Sequence, residues 1–332
     1  MGLKAKVLYD LNVLRLRYWQ KNKKLIEPLY KNVYGKSHHP GMVICMCDGR
    51  FRSGGLGDRI HGILSLYKFC KDKNLAFKVN FCEPFRLKEY LAPNKYDWDI
   101  DPDDLCYDLH GTVPMLMSCS FKSNDGTQQQ EANFMYRYLE SKINKGSKKE
   151  YHIYTNMHYA CRPDMYSGLF HELFKPTKPL IDAVEWNKKR IGGNYISVTL
   201  RFQNLLGDFS EGKYPTLSDK EQEQLIKKVK GKIEELHNEL HTNMKILVTS
   251  DSRKFLNEID KEEWSYTIPG KLVHMSYTPV HNFETHLKSF VDLLVLSEAE
   301  KLYLLVTGDM FHSGFAESAS LINNKPYEEI IF

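Results

Sequence analysis

The sequence lacks the features of a membrane-spanning or nucleic-acid-binding protein. Its 332 residues contain no apolar run near the roughly 18 residues that a membrane-spanning helix needs. The net charge is only +4, from 46 basic and 42 acidic side chains, whereas nucleic-acid-binding proteins usually carry a dense basic stripe. We therefore expect no integral membrane segment and no nucleic-acid partner.

A disulfide framework is also missing. The seven cysteines lie in the first half of the chain, their number is odd, and no two form a CxxC pair. Several occur in apolar runs such as Val43–Cys47. Buried thiols in a reducing compartment explain this pattern better than disulfides, and paired Cys/His ligands at zinc spacings are absent. We expect a cytoplasmic protein without a zinc site.

The N-terminal segment has little of a signal peptide. Met1–Leu16 contains no apolar core followed by a small-residue cleavage site. Lys4–Lys24 mixes leucines and Trp19 with lysines and arginines. We favour an ordinary surface helix here, and the alternative is a basic amphipathic helix that makes peripheral contact with an anionic membrane.

Alternating strands and helices predict an α/β domain in the first half. Met42–Cys47 is a predicted strand, and Ile60–Lys71 places apolar residues at helical spacing after a loop rich in glycine and arginine. Phe77–Phe81 and Tyr151–Thr155 are further predicted strands, and Arg86–Leu91 is a predicted short helix. This order is typical of a parallel, doubly wound sheet.

The second half repeats this alternation more clearly. Its predicted strands are Tyr195–Arg201, Lys245–Ser250, Ser265–Ile268 and Leu302–Thr307, and its predicted helices are Asp219–His241, Arg253–Ile259, His286–Ala299 and Gly314–Leu321. Pro176 and Pro179 break the helical stretch between the halves. We expect two Rossmann-like domains that face a central cleft, where ligands of such proteins commonly bind.

Three loops at strand ends of the second half carry candidate ligand-binding residues. These residues are Arg201 in the first loop, Ser250, Asp251 and Ser252 in the second, and His312, Ser313, Gly314, Phe315 and Ser318 in the third. An arginine fork donates paired hydrogen bonds to phosphate, and helix starts offer backbone N–H groups to anions. A salt bridge or a helix cap would explain each loop alone. Their recurrence in successive strand–helix units predicts a phosphate-binding site.

A fourth loop, in the first half, opens the helix after Met42–Cys47. Its candidate residues are Gly54, Gly55, Gly57, Asp58 and Arg59. Glycines permit a tight turn and close approach of a ligand to the backbone. The GxGxxG fingerprint and the Gly-Lys-Ser/Thr ending of a Walker A loop are both absent. This argues against a dinucleotide site and against a P-loop phosphotransferase or sulfotransferase.

These loops together resemble the motifs of a known family. Gly54–Gly62 resembles the N-terminal glycine loop of the fucosyltransferase superfamily that includes nodulation, xyloglucan and O-fucosyltransferase enzymes. Thr199–Arg201 lies where this family has a His-x-Arg motif. Thr249–Ser252 resembles its second motif, and Ser313–Phe315 with Ser318 resembles its third.

The resemblance covers residues 42–322 as an ordered set of short motifs and implies a GT-B fold. It implies an acceptor-side domain at residues 1–185 and a donor-nucleotide-binding domain at residues 186–332. It also implies metal-independent, inverting transfer of fucose from GDP-fucose to a glycan or glycoconjugate hydroxyl, without a cofactor. Thr199 replaces the family histidine, and Phe202 replaces the second arginine of α-1,6-type enzymes. Both departures bear on the donor sugar and the linkage.

An inverting transfer needs stabilisation of the leaving diphosphate and a base for the acceptor hydroxyl. Arg201 and the helix starts at Ser252 and Ser313 suit the first task. Asp208 and Glu211 are the candidate bases because the family can carry a carboxylate shortly after the arginine. Either could instead be a loop carboxylate that caps a helix or pairs with a lysine.

Three alternatives stay open. The stretch Asp97–Asp104 has DxD spacings that could hold Mg²⁺ or Mn²⁺, although acidic residues around Asp-Pro are more often a solvated turn. The donor could be another nucleotide sugar. The protein could also be a non-catalytic nucleotide- or carbohydrate-binding module on the same fold, which the missing family histidine motivates.

Overall fold

The computed structural model describes residues 15, 17–30, 39–51, 53–117, 127–209, 214–239, 244–273 and 282–332. The chain divides into two compact units, residues 1–88 with 93–175 and residues 89–92 with 176–332. The boundary after residue 175 precedes the expected one after residue 185, because the helix that begins at Lys178 belongs wholly to the second unit. Among the described residues, every helix is too short or too polar to cross a bilayer.

The first unit is built on a parallel sheet of four strands. The elements up to the boundary are β1 (Val43–Cys47), α1 (Leu56–Lys73), β2 (Phe77–Phe81), β3 (Leu91–Pro93), β4 (Thr112–Met117), α2 (Thr127–Lys142), β5 (Glu150–Thr155), α3 (Pro163–Leu173) and β6 (Phe174–Pro176). The strand order is β2-β1-β5-β4, and every pairing is parallel. The predicted doubly wound order is confirmed. The short strands β3 and β6 form a separate two-stranded sheet.

Two elements in this part of the chain differ from the sequence prediction. The predicted helix Arg86–Leu91 is only a 3₁₀ turn at Leu87–Glu89, and Leu91 starts β3. Strand β4 was not predicted, because Pro114 lies in its middle and proline cannot donate a hydrogen bond to a sheet. The strand order explains how proline is tolerated, since β4 lies at the edge of the sheet.

The second unit is built on a parallel sheet of five strands. Its elements are α4 (Lys178–Ile191), β7 (Tyr195–Leu200), α5 (Asp219–Glu239), β8 (Lys245–Ser250), α6 (Arg253–Ile259), β9 (Ser265–Thr267), α7 (Phe283–Glu298), β10 (Leu302–Val306), α8 (Phe315–Ile322) and β11 (Tyr327–Ile331). The order is β11-β10-β7-β8-β9, and all pairings are parallel. The first strand is therefore central, and the strand order reverses between β7 and β10. Ligands of Rossmann-like sheets bind at the carboxyl ends of the strands beside this switch point.

The strands and helices predicted in the second half are confirmed, with ends that shift by up to three residues. Strand β11 was not predicted, since it is an edge strand with Ile331 70% exposed and no apolar alternation. The cysteines agree with the expectation of free thiols. All six described cysteines are free and five of them are buried, while Cys119 lies outside the described residues.

Helix α1 crosses the sheet of the first unit in very close contact with β5. A Cβ atom at Gly62 would clash with the carbonyl oxygen of Thr155 and would lie 2.9 Å from Cα of Asn156. Both obstacles are backbone atoms, which cannot rotate away. Glycine at position 62 therefore sets the distance between α1 and the carboxyl end of β5.

Substitution of Gly62 by alanine is expected to lower the free energy of unfolding by about 1–3 kcal/mol, because the methyl group overpacks this contact. Gly168→Ala is the matched control, since Gly168 also lies in a helix of this unit and an added Cβ meets no atom within 4 Å. The control should be neutral or more stable by about 0.5–1 kcal/mol. Chemical denaturation measures both, and equal stabilities would contradict the packing argument.

Candidate active site

Arg201 is the first residue beyond β7 and lies beside the switch point of the second unit. Its side chain is 20% exposed, and its guanidinium carbon lies 5.1 Å from the ring centre of Phe209. Its carbonyl oxygen accepts the N–H of Phe311 at 2.9 Å. The structure thus joins the loops after β7 and β10, which sequence analysis had proposed as parts of one site.

Asp251, after β8, organises the backbone around Arg201. One carboxylate oxygen accepts the N–H of Phe202 and the other accepts that of Gln203, both at 2.8 Å. The second oxygen also lies 3.3 Å from Nε of Arg201. Gln203 has φ +53°, a left-handed conformation that costs energy for a residue other than glycine. Asp251 therefore positions Arg201 and the backbone that follows it.

The buried position of Asp251 has an electrostatic consequence. Burial raises the pKa of its carboxyl group, and the charge of Arg201 and the two backbone donors oppose that rise. A buried carboxylate is costly unless it is paired and hydrogen-bonded. Asp251 and Arg201 therefore depend on each other.

Asp208 and Ser252 form one capped helix start. Ser252 Oγ accepts the N–H of Phe255 at 3.1 Å and donates to Asp208 Oδ2 at 3.0 Å. Asp208 Oδ2 also accepts the N–H of Lys254 at 2.6 Å, and Ser250 Oγ accepts the N–H of Ser252 at 3.1 Å. Asp208 Oδ1 accepts no hydrogen bond from a described residue. The other candidate base, Glu211, lies outside the described residues.

The third loop forms the start of α8. Ser313 Oγ accepts the N–H of Phe315, the first residue of the helix, at 3.3 Å. An added Cβ at Gly314 would meet no atom within 4 Å, so the backbone there borders open space. Ser318 is 1% exposed, and its hydroxyl donates to the Gly314 carbonyl at 2.6 Å. Its hydroxyl thus bonds within the helix.

The side chains at two motif positions, Thr199 and His312, contact neighbouring strands. Thr199, at the position of the family histidine, is 5% exposed, and its hydroxyl shares a hydrogen bond of 2.9 Å with that of Thr249 on β8. His312 is turned toward β11, where its Nδ1 contacts the carboxylate of Glu329.

A cavity of about 500 Å³ adjoins this group in the second unit. It is lined by Asp208, Phe209, Arg253, Pro269, Gly270, Lys271 and Leu272. Because Arg201 lies over Phe209, the cavity and the arginine are neighbours. The lining combines two cationic side chains and an aromatic ring with the carboxylate of Asp208, and the cations and the ring suit an anionic, aromatic ligand.

The glycine loop lies at the start of α1 in the first unit. Gly54 has φ +75°, and the N–H of Gly55 is accepted by Asp58 Oδ2 at 3.0 Å. Arg59 is 5% exposed, and it donates to the carbonyls of Gly54 at 3.0 Å and Glu83 at 2.7 Å. Burial lowers the pKa of Arg59. Asp58 and Arg59 thus hold the shape of the loop, and Gly57 is buried in the first turn of α1.

A polar cluster that is absent from the predicted site residues lies at the carboxyl end of β1. Asp48 has a side chain only 1% exposed, and its Oδ2 accepts from Arg50 Nη1 at 2.7 Å, Tyr107 Oη at 2.9 Å and Tyr154 Oη at 3.1 Å. The guanidinium carbon of Arg50 lies 3.6 Å from the ring centre of Tyr107. The signal was available, because Arg50 closely follows a buried strand, as Arg201 does.

The acidic stretch Asp97–Asp104 does not converge on a metal site. Asp97 pairs with Lys78 at 2.8 Å, and Asp99 pairs with Lys88 at 2.7 Å. The next acidic residue caps the short helix that begins at residue 102. In the part of the chain that the structure describes, no group of three or more His, Cys, Asp or Glu side chains could hold a metal ion.

Crystal structures of NodZ share this architecture. NodZ α-1,6-fucosyltransferase soaked with GDP-fucose matches with a TM-score of 0.54 and 12% identity over 85% of this chain and 92% of that chain. The same enzyme co-crystallised with GDP matches with a TM-score of 0.54 and 12% identity over 87% and 93%. A selenomethionine form from Bradyrhizobium has a TM-score of 0.53 and 12% identity over 87% and 93%. The chain has a GT-B fold.

The predicted fold class is thereby confirmed. No protein-family model matches the chain, and no curated protein matches it in sequence. At this identity the likeness to NodZ concerns the fold. Within the second unit of this GT-B protein, Arg201, Asp251 and Asp208 belong to one connected group of loops at the carboxyl edge of the sheet.

Proposed function

We propose that this GT-B protein is a glycosyltransferase that transfers fucose from GDP-fucose to a glycan or glycoconjugate hydroxyl. The observation that carries the proposal is the position of Arg201, which lies beside the switch point and is held by the buried Asp251. NodZ, which has the same fold, was crystallised with GDP and soaked with GDP-fucose. The second unit is then the donor-binding unit, and the first is the acceptor-side unit.

Three features of the second unit support a nucleoside diphosphate as ligand. The planar fork of Arg201 suits paired hydrogen bonds to phosphate oxygens. The start of α8 offers backbone N–H groups beside the open space at Gly314. The cavity of about 500 Å³ next to Phe209 has the size of a small-molecule site. The free thiols of the chain fit a reducing compartment, so we propose a cytoplasmic location.

Arg201→Ala is expected to weaken GDP binding at least about tenfold and to abolish turnover of GDP-fucose, because the leaving diphosphate loses a charge-assisted contact. Arg190→Ala is the matched control, since Arg190 also lies over an aromatic ring, 3.4 Å from that of the exposed Trp186. Calorimetry measures binding, and a thermal-shift panel of GDP, UDP, TDP and CMP tests the nucleotide. Stabilisation by UDP and not by GDP would refute the fucose donor.

We propose an inverting, metal-independent mechanism in which Arg201 stabilises the diphosphate and a loop carboxylate accepts the proton of the acceptor hydroxyl. In Asp208 the proton acceptor would be Oδ1, because Oδ2 already accepts two hydrogen bonds at the start of α6. Glu211 follows three residues later and is the second candidate base.

Turnover of GDP-fucose in excess chelator is expected to equal turnover without it, because no step needs a metal. In the same assay, Asp208→Asn should lower turnover about 100-fold or more if it is the base, with little change in GDP binding. Glu211→Gln is the matched variant, and the base is the residue whose amide removes turnover. Loss of activity in chelator with recovery on Mn²⁺ would contradict the metal-free mechanism.

One observation favours a second candidate function. Thr199 replaces the family histidine, is buried, and bonds to Thr249, so this position offers no titratable group. A non-catalytic nucleotide- or carbohydrate-binding module would tolerate that change. GDP binding without turnover over a broad panel of acceptors would favour the module, and turnover of another nucleotide sugar would favour a different donor.

We also propose peripheral membrane contact through the N-terminal segment. Trp19 and Leu25 are 51% exposed and Leu29 is 41% exposed, so this segment places large apolar side chains at the surface. Among the described residues of this segment, Arg15, Arg17, Lys23 and Lys24 are exposed cationic side chains. Apolar side chains with cations between them suit a surface of anionic lipid.

The double variant Trp19→Ser with Leu25→Ser is expected to lose co-sedimentation with phosphatidylserine vesicles, because both side chains would insert into the interface. Trp186→Ser is the control, since Trp186 is 45% exposed elsewhere on the chain. Equal sedimentation of wild type with phosphatidylcholine and phosphatidylserine vesicles would rule out the electrostatic part of the proposal.

A further inference from the structure

One face of the central strand β5 is polar and fully buried. Glu150, His152 and Tyr154 occupy alternate positions, so they share that face, and they are 0%, 0% and 1% exposed. Inner strands of parallel sheets are usually apolar on both faces. A polar group in such a position costs free energy unless it is hydrogen-bonded. The chain therefore maintains a polar network here against the usual pattern.

The network runs along β5 from its first residue to the carboxyl edge of the sheet. Glu150 Oε1 is 2.9 Å from His152 Nε2, and His152 Nδ1 is 3.0 Å from Tyr30 Oη. Tyr30 Oη is 2.9 Å from Tyr154 Oη, which donates to Asp48 at 3.1 Å. Burial raises the pKa of both tyrosines and lowers that of His152, so all three stay uncharged at neutral pH. The network ends at the carboxylate of Asp48.

Asp48 in turn fixes Arg50. The carboxylate accepts the backbone N–H of Arg50 at 3.2 Å and its Nη1 at 2.7 Å. The ring of Tyr107 lies under the guanidinium, and its hydroxyl donates to the same carboxylate at 2.9 Å. The Arg50 side chain is 35% exposed, and its Nε and Nη2 donate to no described residue. The buried framework thus holds the Nη1 side of the guanidinium, and the partly exposed side chain keeps Nε and Nη2 as donors.

The position of this group in the sheet suits ligand binding. β1 pairs with β2 on one side and with β5 on the other, so the strand order reverses between β1 and β5. Asp48 follows β1 directly, and Tyr154 lies near the end of β5. The guanidinium of Arg50 therefore lies at the carboxyl edge beside the switch point of the first unit, where doubly wound sheets bind ligands.

We propose that Arg50 binds an oxyanion of a substrate, a phosphate or a carboxylate, and that Asp48, Tyr107 and Tyr154 position it. The identity of the substrate rests on the proposed function: the anion is either a phosphate of the nucleotide donor or an acidic group of the acceptor. Both sources share the chemistry that a planar guanidinium recognises with two parallel hydrogen bonds.

The chain contains a matched surface pair that separates this site from an ordinary salt bridge. Arg162 and Asp164 have the same spacing of two residues and two hydrogen bonds, of 3.0 and 2.9 Å. Their side chains are 67% and 65% exposed, and no aromatic ring lies under Arg162 among the described contacts. Arg162→Gln therefore changes the net charge as Arg50→Gln does, without touching a buried framework.

Calorimetric titration of the full chain with GDP, inorganic phosphate and glucuronate tests the proposal. Arg50→Gln should weaken at least one of these anions about tenfold or more, while Arg162→Gln should match wild type. Weaker GDP binding assigns the donor phosphate, and weaker glucuronate or phosphate binding with unchanged GDP binding assigns an acidic acceptor group. The proposal is overturned if Arg50→Gln binds all three anions as wild type does, or if both variants have equal effects. It is also overturned if wild type binds none of the three anions.

Two substitutions at Tyr107 test the positioning role and guard against a folding defect. Tyr107→Phe keeps the ring under Arg50, whereas Tyr107→Leu removes it, so the leucine variant should weaken the same anion several-fold more than the phenylalanine variant. Thermal unfolding of each variant shows whether the fold is intact. A failure of the proposed function would give a different result. Arg201→Ala would then leave GDP binding unchanged, independently of the effect of Arg50→Gln.

Discussion

The contact on which the candidate active site depends is the buried carboxylate of Asp251 against the backbone after β7. It accepts the N–H groups of Phe202 and Gln203 and pairs with Nε of Arg201. The bond to the N–H of Gln203 offsets part of the strain of its left-handed conformation. Asp251 directly follows β8. The register between β7 and β8 therefore decides whether Asp251 can hold Arg201 in place.

The two units use the same physical device at the carboxyl ends of their sheets. In each, a buried aspartate after one strand fixes an arginine whose guanidinium lies near an aromatic ring, Phe209 for Arg201 and Tyr107 for Arg50. A carboxylate in such a place is stabilised only when its acceptor sites are filled, so the arginine and the backbone donors are coupled to it. The aspartate thus orients the guanidinium and leaves part of the arginine side chain accessible to a ligand.

Many polar side chains of these loops form hydrogen bonds within the protein. Ser250, Ser252 and Ser318 have the residue types of ligand contacts, and their hydroxyls also form hydrogen bonds with the backbone or with Asp208. Hydroxyls and short carboxylates suit caps and turns as well as ligands, so residue type alone does not separate the two uses. Arg201 and Arg50 differ from these serines, because each keeps part of its side chain at the surface.

The alternation of apolar strands and helices, the free cysteines, and the placement of Arg201 at the end of a buried strand were all determined by the sequence itself. These are local properties, set by periodicity and by residues close together in the chain. Only the tertiary structure decided that β7 lies between β8 and β10, that Asp251 serves Arg201, and that residues as distant as Tyr30 and Glu150 build the framework of Arg50. The physical reason is that these contacts join segments far apart in sequence, whose pairing follows from burial and register and not from any local pattern.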